Sequence, residues 1–258
     1  MINQARDIRK IFIDMHYKAK SGHIGTGLSC IDLLTYIYGY YLKPDDKFIL
    51  SKGHGASALY ATLNYFGKID KQLLDTYYKD GTILPAHPAP NKLKDIPIAT
   101  GSLGHGLPVA VGIAYAEKYL NKNNNKIVCM LSDGECNEGS NWEAIMFAGH
   151  YKLDNLIIIV DANKLQGFGA TKDIINIMPL CDKLLLFGYN TMDIDGHNFE
   201  HIENAFLINT DKPKFIVAHT IKGKGISFME NKLEWHYLFM NDDQYQTAVD
   251  ELEYKNES

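Results

Sequence analysis

The sequence predicts an α/β domain, doubly wound around a mainly parallel sheet with helices on both faces. Three observations carry this. The runs IVCML at 127–131, LIIIV at 156–160 and KFIVA at 214–218 are short and nearly continuously apolar, the pattern of strands buried on both faces. Helical patterns at 143–151 and near 200–207 alternate with them, as a parallel sheet with crossover helices requires. Polar, glycine-bearing loops follow several strands, where ligands collect in open sheets of this kind.

From the N-terminus, helical patterns at 4–20 and 29–41 are joined by a Ser21-Gly22-His23 break. KFILS at 47–51 reads as a short strand, and a Gly53-His54-Gly55 turn opens a helix near Ala56. Residues 73–78 look helical, while 85–90, with three prolines in six residues, form a loop. The GSLGHG loop at 101–106 leads into a small-residue helix through Leu120, whose VAVGIAYA stretch implies close approach to another backbone. The acidic tail beyond Asn241 reads as a helix fraying into disorder over 254–258. With no repeat, low-complexity tract or linker, residues 1–258 form one domain.

Composition narrows the function classes. A hydrophobic content of 46% and a charged content of 22% are ordinary for a soluble globular protein. The net charge of −5 argues against nucleic acid or an anionic membrane as partner. No stretch approaches the roughly 20 apolar residues of a membrane span, and the amphipathic N-terminus lacks a signal core. Cys30, Cys129, Cys136 and Cys181 include no C-x-x-C pair and match no zinc spacing; they suit reduced thiols in the cytoplasm. Cys129 reads as a small buried hydrophobe, and Cys136 as a spectator beside the loop that carries the chemistry.

That chemistry starts from LSDGECNEGSNWEAIMFAGHYKLDNLIIIVDANKLQGFG at 131–169. Asp133 follows one strand and Asn163 the next, with a helix between, so both lie at carboxyl ends of strands. A carboxylate, an amide oxygen and a main-chain carbonyl suit a hard divalent cation, which completes its octahedron with phosphates and water. Gly134 lets the backbone approach a diphosphate, and N–H groups over 137–141, at the helix start, can face anionic oxygens. Four loop histidines, His23, His54, His87 and His105, each lie within a residue or two of glycine or proline and add groups that donate to hydroxyls and move protons near neutrality.

These stretches resemble the transketolase family. Its thiamine-diphosphate signature begins with Gly-Asp-Gly and ends with Asn about thirty residues later; here Ser132 stands at the first glycine. EGSNWEA, YKLDNLI and DANKL continue the similarity, and SGH at 21–23, FILSKGH at 48–54, AHP at 86–88, TGSLGHG at 100–106 and HTIKGKGISFMENKLEWH at 219–236 follow in family order. The resemblance implies thiamine diphosphate held through Mg²⁺, with Ca²⁺ or Mn²⁺ as substitutes, on Asp133, Asn163 and the main-chain oxygen of Leu165. It implies that His54, Gly101, Leu103, Gly134, Glu135, Asn163, Lys222 and His236 bind the cofactor. Lys52 lies nearby, and His23, His54, His87 and His236 serve the reacting sugar. Glu138 is implied in a carboxylate relay between paired sites. His105 stands where many relatives have Gln, and is expected to touch the substrate channel.

The resemblance runs from about residue 6 to 236 and covers the first third of a full-length transketolase. The glutamate that activates the aminopyrimidine ring belongs to a pyrimidine domain absent here. Neither Glu138 nor Glu143 can take its place. The resemblance therefore implies an N-terminal subunit of a split transketolase, with a C-terminal partner carrying the pyrimidine and C-terminal domains in an α₂β₂ heterotetramer. The implied reaction moves a two-carbon ketol unit from a ketose to an aldose, with sugars or sugar phosphates as substrates. Two alternatives stand beside it: a related thiamine-diphosphate carboligase or synthase of a dedicated sugar-biosynthesis pathway, and a non-catalytic subunit that only binds the cofactor. The Rossmann class of nucleotide proteins is disfavoured, since no complete G-x-G-x-x-G opens the first strand unit.

Overall fold

The computed structural model describes residues 1–89 and 93–254. Five strands, β1 (Lys47–Leu50), β2 (Ile127–Ser132), β3 (Leu156–Ala162), β4 (Asn190–Asp195) and β5 (Lys214–His219), form one parallel sheet in the order β1-β2-β3-β5-β4. Every strand therefore points its carboxyl end at the same edge. The register pairs Ser132 with Asp161 and Ala162 with His219, which aligns the ends of the three central strands.

Alternation along these strands divides the core. Val128, Met130, Ile157, Ile159, Ile216 and Ala218 pack on one face against α1 (Ile2–Ala19), α2 (Ile24–Tyr36), α3 (Ala56–Tyr65), α9 (Phe199–Leu207) and α10 (Asp242–Tyr254). Cys129, Leu131, Ile158, Val160 and Val217 pack on the other against α5 (Gly106–Tyr115), α6 (Gly139–His150) and α8 (Leu180–Leu186). Helices thus cover both faces, as the unbroken apolar strands require.

Several boundaries differ from the sequence reading. α2 starts at Ile24, not residue 29, because the Ser21-Gly22-His23 break turns tightly, with His23 at φ 64°. The helix expected over 73–78 is α4 (Lys71–Leu74), capped by the Asp70 carboxylate, which accepts from the Leu73 N–H at 2.7 Å. α6 begins at Gly139, four residues earlier than its apolar pattern. β4 was not expected at all: it is an edge strand of alternating polar residues, NTMDID, only partly buried. α7 (Thr171–Ile174) and α8 also lack a long periodic signal. Gly112, in the stretch expected to approach another backbone, faces open space; the close approach falls at Gly106, where a Cβ would lie 2.4 Å from the Ser51 hydroxyl. Of the proline loop, Pro90 lies outside the described residues; of the expected disordered tail, Tyr254 closes α10 and 255–258 lie outside them. No helix among the described residues is long and apolar enough to cross a membrane.

His16 ties α1 to its neighbours. Its Nε2 lies 2.8 Å from the Ser57 hydroxyl and its Nδ1 2.8 Å from the Ser21 hydroxyl. Burial pushes its pKa down to about 4, against a weaker upward pull from the Ser21 carbonyl. Above pH 6.5 both folded and unfolded chains hold this ring neutral; between 6.5 and about 4 the unfolded chain takes up a proton that the folded chain refuses. Stability from this group is therefore lost as pH falls through that window. Urea unfolding at pH 6.5 and 4.5 should show a smaller loss in His16→Gln than in the parent, by roughly 2 kcal/mol. Equal losses would contradict the assignment.

Candidate active site

The carboxyl ends of β2 and β3 present Asp133 and Asn163 as neighbours. One Asp133 oxygen accepts from the Gly134 N–H at 2.8 Å; the other accepts from the Lys164 N–H at 2.7 Å and the Thr171 hydroxyl at 2.9 Å. The Asn163 amide oxygen accepts from the Leu165 N–H at 3.1 Å, and the Leu165 carbonyl accepts from the Lys222 ammonium at 3.1 Å. The three atoms assigned to a cation thus share one short loop system. Among the described residues Asp133 is a buried carboxylate with no basic side chain in ion-pair contact, and burial together with Asp161 pushes its pKa up against its hydrogen bonds. A cation at this carboxylate would offset that penalty. No cluster of three or more His, Cys, Asp or Glu among the described residues could hold a metal alone. The donor set is therefore one carboxylate and neutral oxygens, which fits a hard cation that brings phosphate oxygens with it.

Beneath this lies a buried hub that the sequence did not reveal. Asp161, in β3, pairs with the Lys52 ammonium and accepts from the Ser29 hydroxyl at 2.6 Å and from the Thr220 hydroxyl. Lys52 also donates to the Thr26 carbonyl at 2.9 Å. The hub joins α2, the loop after β1 and the loop after β5. Lys52 is fully buried and does not line the cleft above.

Four histidines, His23, His54, His87 and His236, come together, and His105 does not join them. The His23 ring centre lies 5.7 Å from His54, 5.9 Å from His87 and 5.1 Å from His236, and His54 lies 5.9 Å from His236. The His23 N–H donates to the His236 carbonyl at 3.1 Å, locking the two loops together. Burial, reinforced by neighbouring imidazoles and by lysines, lowers His23 to about 4 and His236 to about 3, and holds His54 well below its ordinary value. Burial also lowers His87. Burial and Lys52 lower Lys222 to about 8. Near neutral pH these rings are uncharged, each able to accept at one nitrogen and donate at the other.

A cleft of about 400 Å³ runs over these groups. His23, His54 and His236 form one wall with Gly101 and Leu103; Asp133, Gly134, Asn163, Leu165 and Lys222 form the floor; Glu138 lies at the rim. His87 is partly buried and not among the lining residues; it packs against Gly101, where a Cβ would meet its ring at 3.2 Å. Glu135 is corrected: it is buried behind the wall, accepting from the Ser51 hydroxyl at 2.5 Å and the Gly104 N–H at 3.0 Å, and shapes the loops without facing the cleft. His105 is corrected too: exposed, with Nδ1 3.1 Å from the Leu103 carbonyl, it is not among the lining residues. Cys136 is buried and its thiol pushed well up by burial, consistent with a spectator. The cleft also takes in Thr26, Gln166, Phe168 and Tyr237, to which the sequence reading assigned no role. Gln166 Nε2 and Asn137 Oδ1 are buried without a hydrogen-bond partner among the described residues, so the cleft lining holds polar atoms that a polar ligand can satisfy.

This arrangement is a cleft at the carboxyl edge of a parallel α/β sheet, lined by one buried carboxylate, neutral oxygens, imidazoles and a lysine. Residues 2–258 match the family model for the transketolase thiamine diphosphate binding domain, and the chain belongs to that family. It is 39% identical over 261 residues, 96% of its own length and 92% of the relative's, to one subunit of the apulose-4-phosphate transketolase of Phocaeicola vulgatus. It is 41% identical over 263 residues, 97% and 95% of the two lengths, to a 6-deoxy-6-sulfo-D-fructose transketolase subunit from a Clostridium species. Among solved structures, the transketolase of Campylobacter jejuni superposes with a TM-score of 0.88 at 29% identity, covering 97% of this chain. The match spans 42% of that longer chain.

The buried hub gives a direct test. Asp161→Asn should cost about 3–5 kcal/mol in urea unfolding, because it strands the Lys52 charge. Lys52→Met combined with Asp161→Asn should cost clearly less than the sum of the single changes; strict additivity would show that the pair is not coupled.

Proposed function

We propose that the chain is the cofactor-holding subunit of a transketolase-like enzyme, moving a two-carbon ketol unit between sugars. The observation that carries this reading is the convergence of Asp133, Asn163 and the Leu165 carbonyl with His23, His54 and His236 in one cleft. Asp133, Asn163 and the Leu165 oxygen would hold Mg²⁺, with Ca²⁺ or Mn²⁺ as substitutes, and Lys222 would face the diphosphate. Thiamine diphosphate, when bound, supplies the carbon nucleophile that the side chains of the protein lack. The neutral imidazoles of His23, His54, His87 and His236 would hold sugar hydroxyls and move protons at their free nitrogens. Glu138, exposed and lining the cleft, would serve a carboxylate relay between paired sites.

Residues 1–258 are proposed as one diphosphate-binding domain whose site a partner completes. Support comes from relatives of nearly the same length that are named as single subunits of transketolases, and from the apolar rim of the cleft, where Phe168 is 89% and Tyr237 59% exposed. That partner would supply the pyrimidine-activating glutamate, in an α₂β₂ assembly. Its substrates would be sugars with an anionic terminal group, since relatives are named for a phosphate and for a sulfo sugar. The four free cysteines suit a cytoplasmic setting.

Calorimetry tests the reading. The chain should bind thiamine diphosphate with Mg²⁺, and chelation by EDTA should abolish binding. Asp133→Asn should weaken it by at least about tenfold, the loss of a charge-assisted cation contact. Ketol transfer should appear when a partner chain is present and be negligible without one. Robust turnover by the chain alone would refute the split arrangement, and Mg²⁺-independent binding would refute the metal assignment.

A further inference from the structure

Lys222 reaches the cleft from a loop that the sheet does not hold, so something else must fix it. Residues 221–225 follow β5 and include Gly223 at φ 81° and Gly225 at φ 98°, both in the left-handed region where side chains are strained. A buried network away from the cleft grips this loop at two points. The Ile221 N–H donates to Nε2 of His197 at 2.9 Å, and Arg9 Nε donates to the Lys224 carbonyl at 3.1 Å. Both grips meet at one carboxylate: Arg9 binds both oxygens of Asp32 at 2.9 and 2.7 Å, and His197 Nδ1 lies 2.6 Å from the same group.

The geometry fixes the tautomer. A backbone N–H can only donate, so Nε2 of His197 accepts, and the ring proton sits on Nδ1 facing Asp32. The pair is thus directional. Asp32 orients the ring, the ring holds the Ile221 peptide, and the next residue is Lys222. Asp32 lies in α2, the helix that His23 opens, so the same helix carries one wall of the cleft and the anchor of its floor. Gly25 in that helix completes the grip: its carbonyl accepts from the Gly223 N–H at 2.9 Å, and a Cβ there would lie 2.9 Å from Lys222 Cγ.

We propose that His197, oriented by Asp32, is a positioning residue that sets the Lys222 ammonium in the cleft through the Ile221 peptide. It touches neither cleft nor cofactor site. Its effect on a diphosphate rests on the function proposed above, whereas its effect on the loop does not. The tests therefore separate the two. In the full chain without ligand, hydrogen exchange at the Ile221 amide should accelerate by roughly tenfold or more in His197→Phe, which keeps a ring but no acceptor. His197→Gln, which offers a donor and an acceptor on one amide, should restore protection to within about threefold of the parent. Tyr189→Phe, which removes a buried hydroxyl bonded to the Ile145 carbonyl at 2.9 Å on the other sheet face, controls for lost stability and should leave this amide unchanged.

By calorimetry with thiamine diphosphate and Mg²⁺, His197→Phe should raise Kd by about tenfold, His197→Gln should restore it, and Tyr189→Phe should not change it. Should His197→Phe fail to fold, Arg9→Lys, which keeps a charge near Asp32 but loses the Nε contact to Lys224, should raise Kd in the same direction by a few-fold. Unchanged exchange at Ile221 in His197→Phe overturns the inference, as does equal acceleration in Tyr189→Phe. If the parent chain binds no thiamine diphosphate, the proposed function fails while the exchange result still decides the loop.

Discussion

The buried pair of Lys52 and Asp161 is the constraint on which the rest of the site depends. Two opposite charges with no access to water hold each other only while every remaining lone pair and proton finds a partner. Ser29, Thr220 and the Thr26 carbonyl meet that demand, and together with Lys52 itself they fix three separate segments against the end of β3. Lys52 carries His54 two residues on, Thr26 belongs to the helix that His23 opens, and Thr220 precedes the Lys222 loop. The placement of the segments that carry His23 and His54, and of the start of the Lys222 loop, is tied to satisfying this one pair. Such networks are costly when broken and specific when complete, which suits a site whose groups must stay within tenths of an ångström.

Above the hub, electrostatics and close packing act together. Histidines crowded between two lysines are held neutral by burial and by each other's fields, so they present donors and acceptors without adding charge. Such crowding needs backbones without side chains between them. At Gly53 a Cβ would lie 2.7 Å from the Gly101 nitrogen, and at Gly104, with φ 81°, it would lie 2.6 Å from Glu138 Cβ. Gly53, beside His54, thus lets its loop close on the Gly101 loop, while Gly104 lets that loop pack against Glu138.

Much of this was legible in the sequence because it was written in strong local patterns. β2, β3 and β5 are continuous apolar runs, and Asp133 and Asn163 are polar residues directly beyond two of them. β4 was illegible because Asn190, Thr191, Asp193 and Asp195 leave this edge strand no continuous apolar run, with only Met192 and Ile194 to pack against the core. Asp161 was illegible for a different reason. It closes the LIIIVDA strand and reads as the start of a loop, and its partners Ser29, Lys52 and Thr220 are 132, 109 and 59 residues away. Glu135 shows the opposite failure: its place in a motif suggested a cofactor contact, but its carboxylate turns inward to Ser51 and Gly104. Local sequence places a residue on a loop; only packing decides which way its side chain faces.

The cleft floor shows how far such support extends. The Leu165 carbonyl accepts from the Lys222 ammonium at 3.1 Å, so the lysine reaches the loop that carries this oxygen. Lys222 itself is lowered to about 8 by burial and by Lys52, so its position cannot rest on charge attraction alone. It is fixed covalently, by a loop anchored through Ile221 and Lys224 to Arg9, Asp32 and His197. Two helices that contribute no motif at those positions thereby become part of the site. A binding surface built on the ends of strands is only as ordered as the loops that cross it, and here that order is supplied from beneath by α1 and α2.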